Sequence, residues 1–239
     1  MTYPYNPYSA HDMVEVNLRR LALQELTAMG EDTAFMDRLQ SSDRVLIEVA
    51  RHSHRKVLKK LLQNGADPNV RNAQRETALM VAAKKNLGTI CRMLVRFGAN
   101  IDLHGPKQDA AIYHAMRYGH QALVWKFLEW GADPYIKTSA SGATMLMVAV
   151  KYMDLEFIRH LVENLGMDVN AVDKEGYSVL MIAADHNTGT SKVEYLLEKE
   201  ADPYFTDPRS GHRKAIDIAN ESSNYAVRSI LYHHMKPHV

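Results

Sequence analysis

A short signature, Gly-Ala-Asp or a close variant of it, recurs along the chain at nearly equal intervals and constrains the fold more than any other feature. Successive copies of its middle residue are separated by 33, 33, 35 and 34 positions, at Ala66, Ala99, Ala132, Met167 and Ala201. An aliphatic residue keeps a similar step, at Leu46, Leu79, Ile112, Leu146, Leu180 and Ile216. Two agreeing landmarks indicate tandem copies of one unit.

The copy from Thr77 to Asn100 predicts two short helices. Apolar residues recur with helical spacing in two stretches of it, at Leu79, Ala82 and Ala83 and then at Cys91, Leu94 and Val95. Thr77 offers a hydroxyl that caps the first helix, and Gly98 supplies the left-handed residue that ends the second. Neither helix buries its apolar face alone, so the copies must stack into a solenoid.

This period and this helix, turn, helix pattern resemble the ankyrin repeat, over roughly residues 43–235. The resemblance implies an all-α solenoid of stacked helix-turn-helix units with projecting hairpin loops. The family's Thr-Pro-Leu-His-x-Ala signature is incomplete here, because its Pro is absent and its His is replaced, for example by Met80, Met147 and Met181. We expect flexible apolar packing to take the place of much of the family's polar link between first helices.

We divide the chain into an extended tail (1–11), an N-terminal helical cap (12–42) and a repeat domain (43–239) of about five repeats plus a C-terminal capping repeat. Asp12 and Glu15 predict a capping box that opens a helix through about Met29, and a second short helix follows at about Asp32 to Gln40. Because the end of a repeat array exposes an apolar face, we interpret these helices as its cap.

The tail sets Tyr3, Tyr5 and Tyr8 among prolines that hold it extended. It is interpreted either as a frayed terminus or as a segment that packs on the first repeat or is read by a partner.

The composition limits the classes of partner and the compartment that we expect for this chain. Lys plus Arg number 29 against 28 Asp plus Glu, so no bulk charge favours nucleic acid or a membrane. The single cysteine, Cys91, excludes an intramolecular disulfide and favours a reducing compartment. The sequence shows no signal peptide and no apolar run long enough to cross a bilayer. We therefore expect an intracellular, cytoplasmic protein, a monomer that binds neither nucleic acid nor membrane.

Catalytic and metal-binding motifs are missing from the sequence. It has no Gly-rich phosphate loop, His-Glu-x-x-His helix, paired-Cys spacing or Gly-x-Ser-x-Gly elbow. His54 and His120 lie in the turn between helices, where the resemblance implies a structural imidazole. A metal site at His233, His234 and His238 lacks a carboxylate. We predict no catalytic residue, no cofactor and no metal.

An exposed pair of residues follows the small residues of each first helix, at Arg51-His52, Lys84-Lys85, Arg117-Tyr118, Lys151-Tyr152 and Asp185-His186. The resemblance implies that these positions face a concave groove. We predict a basic column edged by tyrosines and stopped by Asp185, with partner-binding residues Arg51, Lys84, Lys85, Arg117, Tyr118, Lys151 and Tyr152. The alternative is a merely solvated face.

Phe97 and Trp130 share one register, just before the closing glycine of adjacent repeats. We expect their rings to meet on the flank, either as a packing pair or as an exposed patch that recruits a second protein.

The function that the resemblance implies is a non-enzymatic module that binds another protein through its groove and loop tips. The basic column predicts that this partner presents an acidic segment. One alternative is a regulatory inhibitor or adaptor, including a bacterial effector sent into the cytoplasm of a host cell. The other is an enzyme with an unrecognised site.

Overall fold

The computed structural model describes residues 10–30, 35, 44–104, 109–185 and 189–235. Within these ranges the first seven α-helices are α1 (Ala10–Met29), α2 (Val45–Arg51), α3 (Arg55–Gln63), α4 (Ala78–Lys84), α5 (Gly88–Arg96), α6 (Ala111–Arg117) and α7 (Gln121–Glu129). They continue as α8 (Met145–Tyr152), α9 (Leu155–Arg159), α10 (Val179–Ala183), α11 (Thr190–Glu198), α12 (Ala215–Glu221) and α13 (Tyr225–Met235). A single turn of π-helix, called the π-turn below, follows α9 at His160–Asn164, and a short 3-10 helix lies at Pro208–Ser210.

Six helix pairs form one row. The units are numbered 1 to 6 by their first helices, α2, α4, α6, α8, α10 and α12. Each first helix packs on the first helix of the next unit, in chain order, and a second helix lies behind it. The predicted all-α solenoid is therefore confirmed. An isolated β-bridge between Val172 and Ser178 marks one of the hairpins.

The first helices are the most deeply buried elements. Every residue from Ala78 to Ala83 is at most 2% exposed, although α4 has only seven residues. Ala82 and Ala83 are fully buried, as are Ala115 in unit 3 and Ala149 in unit 4. Small side chains at these positions let neighbouring helices approach closely, so the repeats share one continuous core.

The caps predicted for the two helices of unit 2 are confirmed. The hydroxyl of Thr77 accepts a hydrogen bond from the Met80 backbone N–H at 3.3 Å, and Thr144 and Ser178 repeat the arrangement in units 4 and 5. Gly98 ends α5 with a φ of +87°. The Met80 sulfur lies 3.4 Å from the Thr77 nitrogen and accepts its N–H, so methionine preserves a weak polar contact as well as apolar packing.

The π-turn absorbs an extra residue. From the cap Thr144 to Met167 the chain advances 23 positions, whereas from Thr77 to Ala99 it advances 22. The wider turn at His160–Asn164 takes up this insertion inside the second helix of unit 4. Because the insertion stays within that helix, the stacking of the first helices continues undisturbed.

The N-terminal helix packs on the array through a contact that the sequence did not predict. Helix α1 begins at Ala10, two residues before the expected start, so the proposed capping box is wrong about the helix boundary. Glu15 instead accepts a hydrogen bond from the Val45 backbone N–H at 2.7 Å, at the start of α2. Apolar residues of the same helix are buried against the array, at Leu18, Ala22 and Leu26.

Several predicted features lie outside the described residues: the tail tyrosines, the side chain of Asp12, the helix at residues 32–40 apart from buried Phe35, and the imidazoles of His186 and His238. The division of the chain into tail, cap and repeat domain stays a prediction.

Side chains from one unit cap the carbonyl end of the preceding first helix. His120 Nε2 lies 2.9 Å from the Lys84 carbonyl oxygen, and the Lys192 ammonium donates to the Val150 carbonyl at 2.8 Å. Asn224 donates to the Asp185 carbonyl at 3.2 Å. These donors satisfy carbonyls that have no partner inside the helix. The structural role predicted for His120 is confirmed.

Replacing Glu15 by Ala should lower the free energy of unfolding by about 1 kcal/mol, because the Val45 N–H then loses its acceptor at a half-buried helix start. Urea unfolding followed by circular dichroism measures the change. Gln24→Ala on the exposed side of the same helix serves as the control and should be near neutral. Equal stability of the two variants would contradict the role assigned to Glu15.

Candidate binding groove

The groove column consists of the seventh residue after the cap of each unit: Arg51, Lys84, Arg117, Lys151, Asp185 and Glu221. The structure brings these positions together in two places. Arg51 and Lys84 both lie within ion-pair distance of Glu76. Arg117, Lys151 and Asp185 line one cavity. The column therefore runs from basic to acidic along the solenoid.

Acidic partners neutralise most of the basic part of the column. The residue eight positions before Lys84 is Glu76, and the two side chains form an ion pair. Asp109 pairs in the same way with Arg117. In unit 1, the Arg51 Nε donates to Glu48 at 3.1 Å and the Arg51 Nη2 lies 3.9 Å from Glu76. The expected row of free positive charge is therefore interrupted.

Sequence reasoning missed Glu76 and Asp109 because each lies in a hairpin, before the helix whose basic residue it meets. The signal was present as complementary charges at a constant spacing of eight residues. The last unit repeats the pair with its signs reversed, since the Arg213 guanidinium lies 2.9 Å from Glu221.

Both buried carboxylates are held ionised. Burial alone raises the pKa of Asp109, but the Ser139 N–H, which donates to it at 2.6 Å, and the guanidinium of Arg117 outweigh burial and lower that pKa below its ordinary range. The pKa of Glu76 is lowered in the same way: burial opposes ionisation, and the Lys84 ammonium overcomes it. These ion pairs are part of the folded scaffold.

Unit 4 breaks the series of ion pairs. The position eight residues before Lys151 is Ala143, whose methyl group cannot pair with an ammonium. Lys151 has no ion pair among the described residues, and its side chain is exposed. It is thus the basic member of the column whose charge remains available in the groove.

A cavity of about 350 Å³ opens beside this break. Its floor is apolar and comes from units 4, 5 and 6, at Met147, Val148, Met181, Ile182 and Ile218. Lys151 and Tyr152 line it from unit 4, and Tyr177 and Glu175 from the hairpin before unit 5. The site therefore combines an apolar floor with charged and aromatic walls.

The hairpin beside the cavity has one residue more than the hairpins before units 2 and 5. The Thr138 N–H donates to the Ala143 carbonyl, five positions later, whereas the Asn72 N–H donates to the Glu76 carbonyl, four positions later. The Thr138 hydroxyl accepts the Ala143 N–H at 2.9 Å and closes this wider turn. Unit 4 therefore differs from units 2 and 3 in having Ala143 before the cap, and the same hairpin is also one residue longer than that of unit 2.

Two tyrosines are exposed along the groove at the same register. Tyr118 is 60% exposed in unit 3, and Tyr152 is 43% exposed in unit 4. The Tyr118 ring stacks on His120 with centroids 6.1 Å apart. Lys85 occupies this register in unit 2, where its ammonium donates to the Arg51 carbonyl at 3.3 Å. At this register the exposed tyrosines therefore lie in units 3 and 4, and Tyr152 also lines the cavity.

The predicted contact between Phe97 and Trp130 is wrong: within the described residues no ring contact joins them. The Trp130 ring packs edge-on against Phe127, with centroids 5.6 Å apart, and is half-buried. Phe97 is 36% exposed. Trp130 reaches a partner one turn back in its own helix, so it does not need the neighbouring repeat. A recruiting role for Phe97 and Trp130 stays a prediction.

Reactive groups are few in the described part of the chain. Burial raises the pKa of the Cys91 thiol to about 12, which keeps it protonated at neutral pH. Across the described ranges, no three side chains of His, Cys, Asp or Glu are grouped so that they could hold a metal ion. No helix in those ranges has the length and apolar character needed to cross a bilayer.

Comparison with known proteins identifies the repeats. The family model for ankyrin repeats (3 copies) matches residues 46–138 and 131–207. A putative ankyrin repeat protein of Fowlpox virus, FPV031, is 27% identical over 165 residues, which cover 67% of this chain and 48% of that protein. Ankyrin repeat and SOCS box protein 6 of Homo sapiens is 28% identical over 224 residues, 84% of this chain and 53% of that protein. The chain thus spans about half the length of these relatives.

Solved structures show the same fold. The human ASB11 ankyrin repeat domain superposes with a TM-score of 0.69 at 21% identity, covering 98% of this chain and 100% of that one. A chain from the structure of the Bd0816 predatory endopeptidase of Bdellovibrio bacteriovorus in complex with immunity protein Bd3460 gives a TM-score of 0.70 at 23% identity. It covers 80% of this chain and 98% of that chain.

The ion pair of unit 3 predicts a specific acid sensitivity. Because the folded-state pKa of Asp109 is lowered, its contribution to stability is complete above the ordinary carboxyl value near 4 and is lost as the pH falls through the lower folded value. Asp109→Asn should therefore destabilise the protein at pH 7 by about 1 to 3 kcal/mol. Below about pH 4 the native chain loses the contribution of Asp109, so the stability difference between the variant and the native chain should shrink.

Thermal unfolding from pH 7 to pH 2 measures this difference. Asp133→Asn, which changes an exposed carboxylate, is the matched control and should follow the native chain. Parallel stability curves for Asp109→Asn and the native chain would rule out the ion pair as the source.

Proposed function

The chain belongs to the ankyrin-repeat family, and we propose that it acts as a non-enzymatic module that holds another protein in the groove of units 3 to 5. The observation that carries this proposal is the coincidence of the cavity with the available charge of Lys151 and the exposed ring of Tyr152. Ankyrin repeats are in general protein-interaction modules, which supports the class of function.

The groove offers the features that concentrate binding energy at protein interfaces. Aromatic and cationic side chains that lose water on binding contribute most when they surround a pocket. Tyr152 supplies rigid aromatic surface in the cavity, Tyr118 supplies it at the same register one unit earlier, and Lys151 supplies the charge. The apolar floor can accept a side chain of the partner. These groups can act together as one anchor.

The partner is proposed to present an acidic group. The paired residues of units 1 to 3 add little attraction, because their charges are already met by carboxylates within the chain. An acidic group of the partner is therefore drawn to Lys151. The sequence predicted that Arg51, Lys84, Arg117 and Lys151 all attract the partner. We now assign this role to Lys151.

A second candidate function is the inhibition or delivery of an enzyme. The observation that favours it is the solved neighbour that comes from the structure of an endopeptidase in complex with an immunity protein. The same groove would then hold a segment of the target enzyme. Purification of the partner and an assay of its activity with and without this chain separates the two candidates.

Lys151→Glu and Tyr152→Ala should each weaken binding of the partner at least about tenfold, because one reverses the available charge and the other removes an aromatic anchor. The partner is obtained by cross-linking to the native chain, and the affinities are measured by calorimetry at two salt concentrations. Lys126→Glu, on the exposed side of α7, is the charge-matched control and should bind as the native chain does. Native-like affinity of both groove variants would refute the proposal.

A further inference from the structure

Unit 4 has Ala143 at the position where units 2 and 3 have a carboxylate, and those two units serve as a template for how a carboxylate fits there. In those units a carboxylate stands eight residues before the basic residue of the column and pairs with it, as Glu76 does with Lys84 and Asp109 with Arg117. We propose that the partner supplies the missing carboxylate of unit 4: one Asp or Glu side chain enters the cavity beside Ala143 and pairs with Lys151. This inference rests on the proposed function of the groove.

The template shows that the scaffold accepts a carboxylate at this place. The side chain of Glu76 is only 12% exposed and that of Asp109 only 7% exposed, yet both are held ionised. Ala143 occupies the equivalent position and is 8% exposed. The space that a longer side chain would fill is continuous with the cavity, which Ala143 and Lys151 both line.

An incoming carboxylate gains more from Lys151 than from the other basic residues of the groove. Arg117 also lines the cavity, but its guanidinium is engaged by Asp109. Lys151 has no such partner among the described residues. An ion pair that forms in a partly enclosed cavity is stronger than one on an open surface, because water screens it less.

The wall of the cavity that unit 5 and its hairpin form is acidic, through Asp173, Glu175 and Asp185, and this limits the sequence of the partner segment. Oδ1 of Asp173 accepts the N–H groups of Glu175 and Tyr177, both at 2.9 Å. Asp185 accepts the Ser222 hydroxyl at 2.9 Å. The carboxylates of Asp173, Glu175 and Asp185 therefore repel a run of acidic residues.

The same wall favours a basic residue beside the entering acid. The expected ligand is a segment with a single Asp or Glu flanked by Lys or Arg, rather than the uniformly acidic segment that a free basic column would attract. The apolar floor contacts the methylene groups of the entering side chain. The site thus selects a mixed-charge segment.

A random peptide library displayed on phage, selected against the full chain, provides the probes. Enriched peptides are synthesised with a fluorescent label, and their affinities are measured by anisotropy. We expect a single acidic residue with a basic neighbour in the enriched sequences. Replacing that acid by its amide should weaken binding to the native chain at least about tenfold and weaken binding to Lys151→Met far less, since the two changes remove the same ion pair.

Ala143→Glu tests the template within the chain itself. Its introduced carboxylate should pair with Lys151, occupy the cavity and weaken peptide binding at least about tenfold. Ala143→Gln has nearly the same size without the charge and should weaken binding less. Circular dichroism and the thermal midpoint establish that each variant is folded, and Lys151→Met keeps the test informative if a substitution at Ala143 unfolds the chain.

The outcomes separate the two proposals. If the acid-to-amide change weakens binding equally for the native chain and Lys151→Met, while Tyr152→Ala still weakens binding at least about tenfold, the groove binds peptides but the ion pair proposed for unit 4 is wrong. If neither Lys151→Met nor Tyr152→Ala changes the affinity, or if no peptide is enriched, both proposals fail.

Discussion

Burial of the first helices against one another is the interaction on which the rest of the structure depends. A helix of seven residues is unstable alone, because its nucleation cost exceeds the gain from so few hydrogen bonds. Residues 78–83 nevertheless form a helix that is almost wholly buried. Alanines at Ala82, Ala115 and Ala149 permit this close packing. Since each first helix packs on the next, the groove positions at the ends of these helices lie in register along the array.

The elements that follow from local pattern could be predicted from the sequence. The period, the helix pairs, the Thr77 cap and the left-handed Gly98 depend on residues within one unit and on neighbouring units of similar sequence. Contacts that depend on a partner far along the chain could not. Glu15 was expected to help cap its own helix, but it accepts from Val45, thirty residues away. Sequence spacing reveals that unit 4 has an insertion, whereas only packing decides that a π-turn absorbs it.

The candidate site was predicted in its positions but not in its electrostatics. The column from Arg51 to Lys151 lies in the expected register, yet three of its four basic members are met by carboxylates of the chain. Glu76 and Asp109 were overlooked because residues in a hairpin have no fixed distance to a helix until the hairpin is folded. The ring contact of Trp130 was misjudged for a related reason, since a neighbour in its own helix competed with one in the next repeat.

The difference between unit 4 and its neighbours has a physical consequence for binding. An ion pair within the chain already satisfies both of its charges, so it contributes rigidity but little recognition. Lys151 stays hydrated until a partner arrives, so its attraction is available for binding. Because a repeat protein is stabilised by a sum of local interfaces, the loss of one internal pair at Ala143 leaves the other units intact. An ankyrin array can therefore specialise one segment of its groove for recognition, and here that segment lies between Arg117 and Asp185, where the column changes sign.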